Sequence, residues 1–104
     1  MEIKDFWGRT IRLTDERIEH LMGNHPEIKS ESIAVIIETL QQPEQIFVSN
    51  SDDTVELFYR YYLKTSVGDK YMCVVVKNLE TDFFVITAYF TDKIKKGELL
   101  WTKT

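Results

Sequence analysis

Thr87, Tyr89 and Thr91 fall on alternate positions of the run VITAYFTD. On a strand they share one face, with Phe84, Ile86, Ala88 and Phe90 on the other. A solvated face ordinarily carries charge, so three hydroxyls in a row ask for a purpose. Two histidines stand elsewhere in the chain. His20 lies in ERIEHLMG, on the same helical side as Arg17 and Asn24, and His25 follows in GNHPE. Arg60 interrupts the aromatic strand LFYRYY between Tyr59 and Tyr61. Together these residue types meet the needs of metal-free phosphodiester cleavage in RNA. An imidazole titrates near neutrality and can move protons on and off the ribose 2′-hydroxyl and the leaving oxygen. A fixed guanidinium offsets charge on the non-bridging oxygens. Hydroxyls orient the phosphate, and a tyrosine stacks a base or assists proton transfer. The attacking group belongs to the substrate, so no nucleophilic Ser or Cys is required.

Each feature also has a reading without chemistry. His20 can be a surface helix residue, His25 a loop residue bonded to backbone, and Arg60 a stem covering apolar surface while it stacks on its aromatic neighbours. No metal or cofactor is expected. The two histidines are five residues apart, with Gly23 and Pro26 around them, unlike the i, i+4 pair of a zinc-binding helix. Cys73, the only cysteine, sits within YMCVVVK as a small buried hydrophobe.

Elements must hold these residues in place. The chain has 104 residues, 43% hydrophobic and 29% charged, which suits one globular domain with one core. No apolar stretch approaches a membrane span and the start is unlike a signal peptide, so a soluble cytoplasmic protein without a membrane partner is expected. Net charge is −4, which argues against bulk electrostatic grip on nucleic acid. Residues 87–104 are nevertheless locally basic: Lys93, Lys95, Lys96 and Lys103 stand against Asp92 and Glu98. Ile3, Ile11 and Leu13 around a Trp-Gly pair suggest a hairpin with its turn near Gly8. TDERIEHLMG reads as a helix capped by Thr14 and stopped at Gly23, burying Ile18, Leu21 and Met22. A second helix starts at Ser30 and ends before Pro43, with Ile33, Ile36, Ile37 and Leu40 as its apolar stripe. Beyond Pro43 the period becomes two: QIFVSN, TVELFYRYYL, KYMCVVVK and FFVITAYF read as strands. The expectation is an α+β fold, two N-terminal helices packed on one face of a four-stranded antiparallel sheet, with room for an N-terminal hairpin. The Ile33–Leu40 stripe is expected to pack across Phe84, Ile86 and Phe90, leaving Thr87 and Tyr89 on the open face.

The ordered series LTDERIEHLMGNHPEI, IIETLQQPEQIF, ELFYRYY, KYMCVVVK and FFVITAYFTDKIKKGELLW resembles the small phage- and bacteria-borne nuclease-like domains of the barnase–EndoU–colicin–RelE superfamily. The likeness runs from about Leu13 to Trp101. It implies a metal-independent ribonuclease whose catalytic residues here match His20, Arg60, Thr87 and Tyr89. His25, Arg17, Thr91 and Lys93 are then expected to contact the RNA substrate. An antitoxin or immunity protein is the further partner that the resemblance implies. A non-catalytic domain that binds a protein or nucleic acid through Phe58, Tyr59, Tyr61, Tyr62, Tyr71 and Trp101 is the alternative.

Overall fold

The computed structural model describes residues 1–95 and 97–103, so Lys96 of the basic stretch lies outside the described residues. In chain order the elements are β1 (Glu2–Lys4), β2 (Thr10–Arg12), α1 (Asp15–Asn24), α2 (Ser32–Gln41), β3 (Gln45–Val48), β4 (Val55–Thr65), β5 (Gly68–Asn78), β6 (Phe83–Thr91) and β7 (Glu98–Thr102). Among the described residues no helix is long and apolar enough to cross a membrane.

The expected four-stranded antiparallel sheet is corrected to a seven-stranded mixed sheet of order β1-β2-β6-β5-β4-β3-β7. The expected N-terminal hairpin is present as β1 and β2, and two edge pairings that no local pattern reveals account for the difference. At one edge β2 pairs parallel with β6, through Ile11↔Phe83 and Arg12↔Phe84, and brings β1 with it. At the other edge β7 pairs antiparallel with β3, so the chain leaving β6 crosses β5, β4 and β3 before it rejoins the sheet. Asp5, Arg9 and Glu56 tie the first hairpin down. The Arg9 guanidinium donates to both carboxylates, at 2.9 Å to Asp5 Oδ2 through Nε and 2.5 Å to Glu56 Oε1, and lies against the Trp7 and Phe83 rings.

Both helices contribute to one apolar cluster, in which Leu21, Ile36 and Leu40 meet Phe58, Met72, Val74, Val76, Val85 and Ala88. The opposite side of the sheet carries a smaller cluster of Phe47, Leu57, Tyr59, Cys73 and Val75, with Ile86, Tyr89 and Ile94 packed against it. Thr14 caps α1 by accepting from the Arg17 N–H. Gly23, expected as the stop, is inside α1, which runs to Asn24 and ends on His25. α2 starts at Ser32 rather than Ser30, because the Ser32 hydroxyl accepts from Lys29 N–H at 3.0 Å and closes a turn just before the helix.

The expected packing of the α2 stripe across Phe84, Ile86 and Phe90 is also corrected. α2 lies over β5, β4 and β1, while α1 covers β6. A bulge opposite Val75 and Val76 breaks the alternation in β6: Val76 faces Val85, but Val75 faces Thr87. One extra residue, Ile86, is thereby accommodated on β6, and the face of every residue before it is inverted. Val85, Ala88 and Phe90 turn to the helices, whereas Ile86 joins the cluster on the other side.

Candidate active site

The register sorts the expected site residues by face. Tyr59, Cys73 and Tyr89 form one cross-strand row, and Val75 stands opposite Thr87. These residues face away from the helices, on the side of the Phe47–Tyr59–Cys73 cluster. Arg60, Met72 and Phe90 form the adjacent row and point to the helix side. There Arg60 Nη1 donates to the Gln42 carbonyl at 2.7 Å, just past the end of α2, and its Nε stands 3.7 Å from Glu38 Oε1. Arg60 is thus separated from Thr87 and Tyr89 by the thickness of the sheet. Its role as expected from the strand pattern needed a neighbouring hydroxyl that the fold puts on the far side.

His25 does reach those hydroxyls. Among the described residues β6 has a strand neighbour on its outer side only at Phe83 and Phe84, so its later residues form a free edge. The chain leaving α1 turns round that edge. His25 N–H donates to Leu21 O at 2.9 Å, its carbonyl accepts from Ile28 N–H at 2.8 Å, and Ile28 is buried in the core. With its backbone held at both ends, the imidazole lies across the edge. Its Nε2 is 3.5 Å from Thr87 Oγ1, and its ring stacks on Tyr89 with centroids 5.9 Å apart. On the other side Nδ1 stands 3.5 Å from Glu27 Oε1. A carboxylate beside Nδ1 favours the tautomer protonated there, leaving the Nε2 lone pair toward Thr87.

The remaining expected residues take different places. His20 is exposed on α1 and, among the described residues, makes no hydrogen bond or ion pair. Arg17 lines a groove with Arg12, Thr14, Phe84 and Val85, nearer the start of β6. Thr91 closes a local turn, accepting from Lys93 N–H at 3.2 Å and donating to Lys93 O at 3.1 Å. The Lys93 side chain is exposed.

Two contributors were missed by sequence reasoning. Glu27 orients His25, and the only signal for it was its spacing in HPE. Lys95 lies on the crossover from β6 to β7, where Ile94 packs on the open-face cluster and Lys95 N–H donates to the Tyr59 hydroxyl at 2.9 Å. Its charge is felt at Cys73, which stands in the same row as Tyr89. The locally basic C-terminal stretch was the signal for it. Burial, and the neighbouring Cys73, push the Tyr89 phenol above its ordinary value. Its hydroxyl interacts with the Cys73 thiol in the same cross-strand row. Burial likewise pushes the Cys73 thiol up to about 11, which leaves it no thiolate with which to attack. Among the described residues no group of three or more His, Cys, Asp or Glu side chains is placed to hold a metal ion.

A histidine beside a carboxylate, a phenol and a threonine, brought together at one strand edge, suit proton transfer. The family described as phage-Barnase-EndoU-ColicinE5/D-RelE like nuclease 2 matches residues 2–102. The chain belongs to this nuclease family. No curated protein and no solved structure matches it. The match takes in every element from β1 to β7, so the added hairpin and the last strand belong to the nuclease-like domain itself.

Proposed function

We propose that this domain is a metal-independent endoribonuclease that cleaves RNA by attack of the 2′-hydroxyl on the adjacent phosphate. The observation that carries the reading is the convergence of His25 with Thr87 and Tyr89 from positions 62 residues apart at a free strand edge. His25 Nε2 takes the proton of the 2′-hydroxyl, which attacks phosphorus; the bond to the 5′-oxygen breaks and that oxygen receives a proton. In this reading Tyr89, whose ring stacks on the imidazole, supplies it. Thr87 holds a non-bridging oxygen. Glu27 keeps the imidazole in the working tautomer, as a carboxylate does for a catalytic histidine elsewhere. His20 and Arg17, on the flank of α1, lie outside this group of contacts and serve RNA binding. An antitoxin or immunity protein that covered the free edge of β6 would silence the site.

The test is cleavage by the purified domain in EDTA. RNA should be cut to 2′,3′-cyclic phosphate and 5′-hydroxyl ends, while DNA, which lacks the attacking group, stays intact. His25→Ala should lower the rate by about 10²–10⁴-fold, the usual worth of a positioned acid or base. His20→Ala should change it less than about tenfold. An equal loss in both variants, or an inert parent, would refute this assignment.

A further inference from the structure

Of the six aromatic residues that could form a binding face, the fold withdraws four. Phe58 and Tyr59 are buried, Tyr62 turns to the helices and donates to Glu38, and Trp101 packs on Phe6. Tyr61 and Tyr71 remain on the open face. Tyr61 is 43% exposed, a high value for a tyrosine in the middle of a sheet. The two rings meet edge to face with centroids 4.9 Å apart, and Tyr71 meets Tyr59 in the same way at 6.3 Å. Tyr71 stands opposite Thr91, and its diagonal neighbour on β6 is Tyr89. Diagonal partners on adjacent strands lie about 7–8 Å apart, within reach of long aromatic side chains. A path of ring contacts therefore runs from Tyr59 through Tyr71 to Tyr61, with Tyr89 the diagonal neighbour of Tyr71.

That path ends in a cleft of about 380 Å³ lined by Glu44, Gln45, Tyr61, Tyr71, Thr102 and Lys103. Its walls are tied together. Glu44 Oε1 accepts from Tyr61 N–H at 2.8 Å, and Lys103 N–H donates to Glu44 O at 2.9 Å. Among the described residues the Lys103 ammonium has no ion-pair partner, and the Tyr61 hydroxyl has no hydrogen bond. We propose that this cleft is a base-stacking subsite for a nucleotide flanking the cleaved bond of single-stranded RNA. The base lies on the exposed Tyr61 ring, which Tyr71 braces edge to face, and Lys103 meets the neighbouring phosphate. An exposed ring braced by a second, beside a lysine with no ion-pair partner among the described residues, fits a flat base with an attached anion, and base–aromatic stacking is worth about 1–3 kcal/mol per base. A protein partner would call for a broader apolar surface than two rings at the bottom of a small cleft. The identity of the bound strand rests on the nuclease reading above, but the subsite can be tested apart from catalysis.

The probe is a labelled single-stranded heptanucleotide in deoxy form, which cannot be cut, measured by fluorescence anisotropy against the corresponding dinucleotide. Tyr61→Ala should weaken heptanucleotide binding about 5- to 150-fold, the range that stacking energy converts to, and leave dinucleotide binding unchanged. Tyr61→Phe, which keeps the ring, should bind within about twofold of the parent. Circular dichroism should show both variants folded. An inert protein that still binds the heptanucleotide through Tyr61 upholds the subsite and sinks the nuclease reading. A parent that cuts RNA while Tyr61→Ala binds and cuts like it overturns the subsite alone. A parent that binds no heptanucleotide, with Tyr61 engaged by a protein instead, overturns it as well.

Discussion

Gly97 offers the sharpest test of how the crossover is held. A Cβ added there would stand 1.9 Å from the Val48 carbonyl oxygen and 3.1 Å from its carbon. Real Cβ atoms essentially never approach within 3.0 Å, so Gly97→Ala demands a backbone displacement of about 1.1 Å or more. Ladder hydrogen bonds tolerate only a few tenths of an ångström around their 2.7–3.2 Å range, so the Val48↔Glu98 end of the β3–β7 pairing must open. Overpacking of this kind costs about 1–3 kcal/mol, and each kcal/mol lowers Tm by about 4–8 °C in a domain of this size. Gly23→Ala is the control: it lies within α1 with nothing within 4 Å of an added Cβ, and alanine there should stabilise by about 0.5–1 kcal/mol. Urea melts of both variants decide the matter. If Gly97→Ala melts within about 0.5 kcal/mol of the parent, the close approach of Gly97 to β3 is not what seats the crossover.

Three other outcomes are expected. Val75, 9% exposed in β5 between β4 and β6, should not accept a charge; Val75→Asp buries a carboxylate without a partner and should unfold the domain, as seen by loss of near-UV circular dichroism. Arg9→Met strands the buried Asp5 and Glu56 carboxylates without their shared cation, and a loss of about 3–5 kcal/mol should appear in urea titration. Stability should also fall at alkaline pH. Cys73 is raised from 9.0 to about 11 and the Tyr59, Tyr62 and Tyr89 phenols are raised above 10.0, so the unfolded chain ionises first. Their contribution is complete below pH 9 and declines as pH climbs through 9–11 and beyond. A melting temperature constant from pH 8 to 11 would contradict it, as would rapid alkylation of Cys73 in the folded protein at pH 8.

What could be read from the chain was local. Thr14 announces the start of α1 because its hydroxyl has a nearby N–H to serve, and the Ile36–Leu40 stripe announces a buried helix face. Alternation along β4 separates Tyr59 and Tyr61 from Phe58 and Arg60 with nothing more than a two-residue period. What escaped was non-local. The parallel pairing of β2 with β6 joins residues over 70 positions apart and leaves no periodic trace. The bulge at Ile86 comes from the match to β5, not from VITAYFTD itself, and it moved Phe84 and Ile86 off the expected face. Arg60 was chosen as though the faces of β4 and β6 were already aligned; only the intervening strand decides that. The family resemblance implies a histidine on a helix, which His20 matches, yet the turn around a strand edge is what carries an imidazole, that of His25, to Thr87.

That turn has a consequence for the birth of the protein. Residues 1–28 can form their helix early in synthesis, yet His25 has no counterpart until β6 has been made and has docked on β5. Contacts between residues this far apart in sequence form late, because loop closure must precede them. A growing chain therefore carries no assembled His25–Thr87–Tyr89 cluster, the proposed cleavage centre, while most of it is being translated. The same wiring makes the centre the first casualty of fraying: a strand edge without an outer neighbour opens at lower cost than the sheet behind it. Activity should then vanish on warming before the fold does.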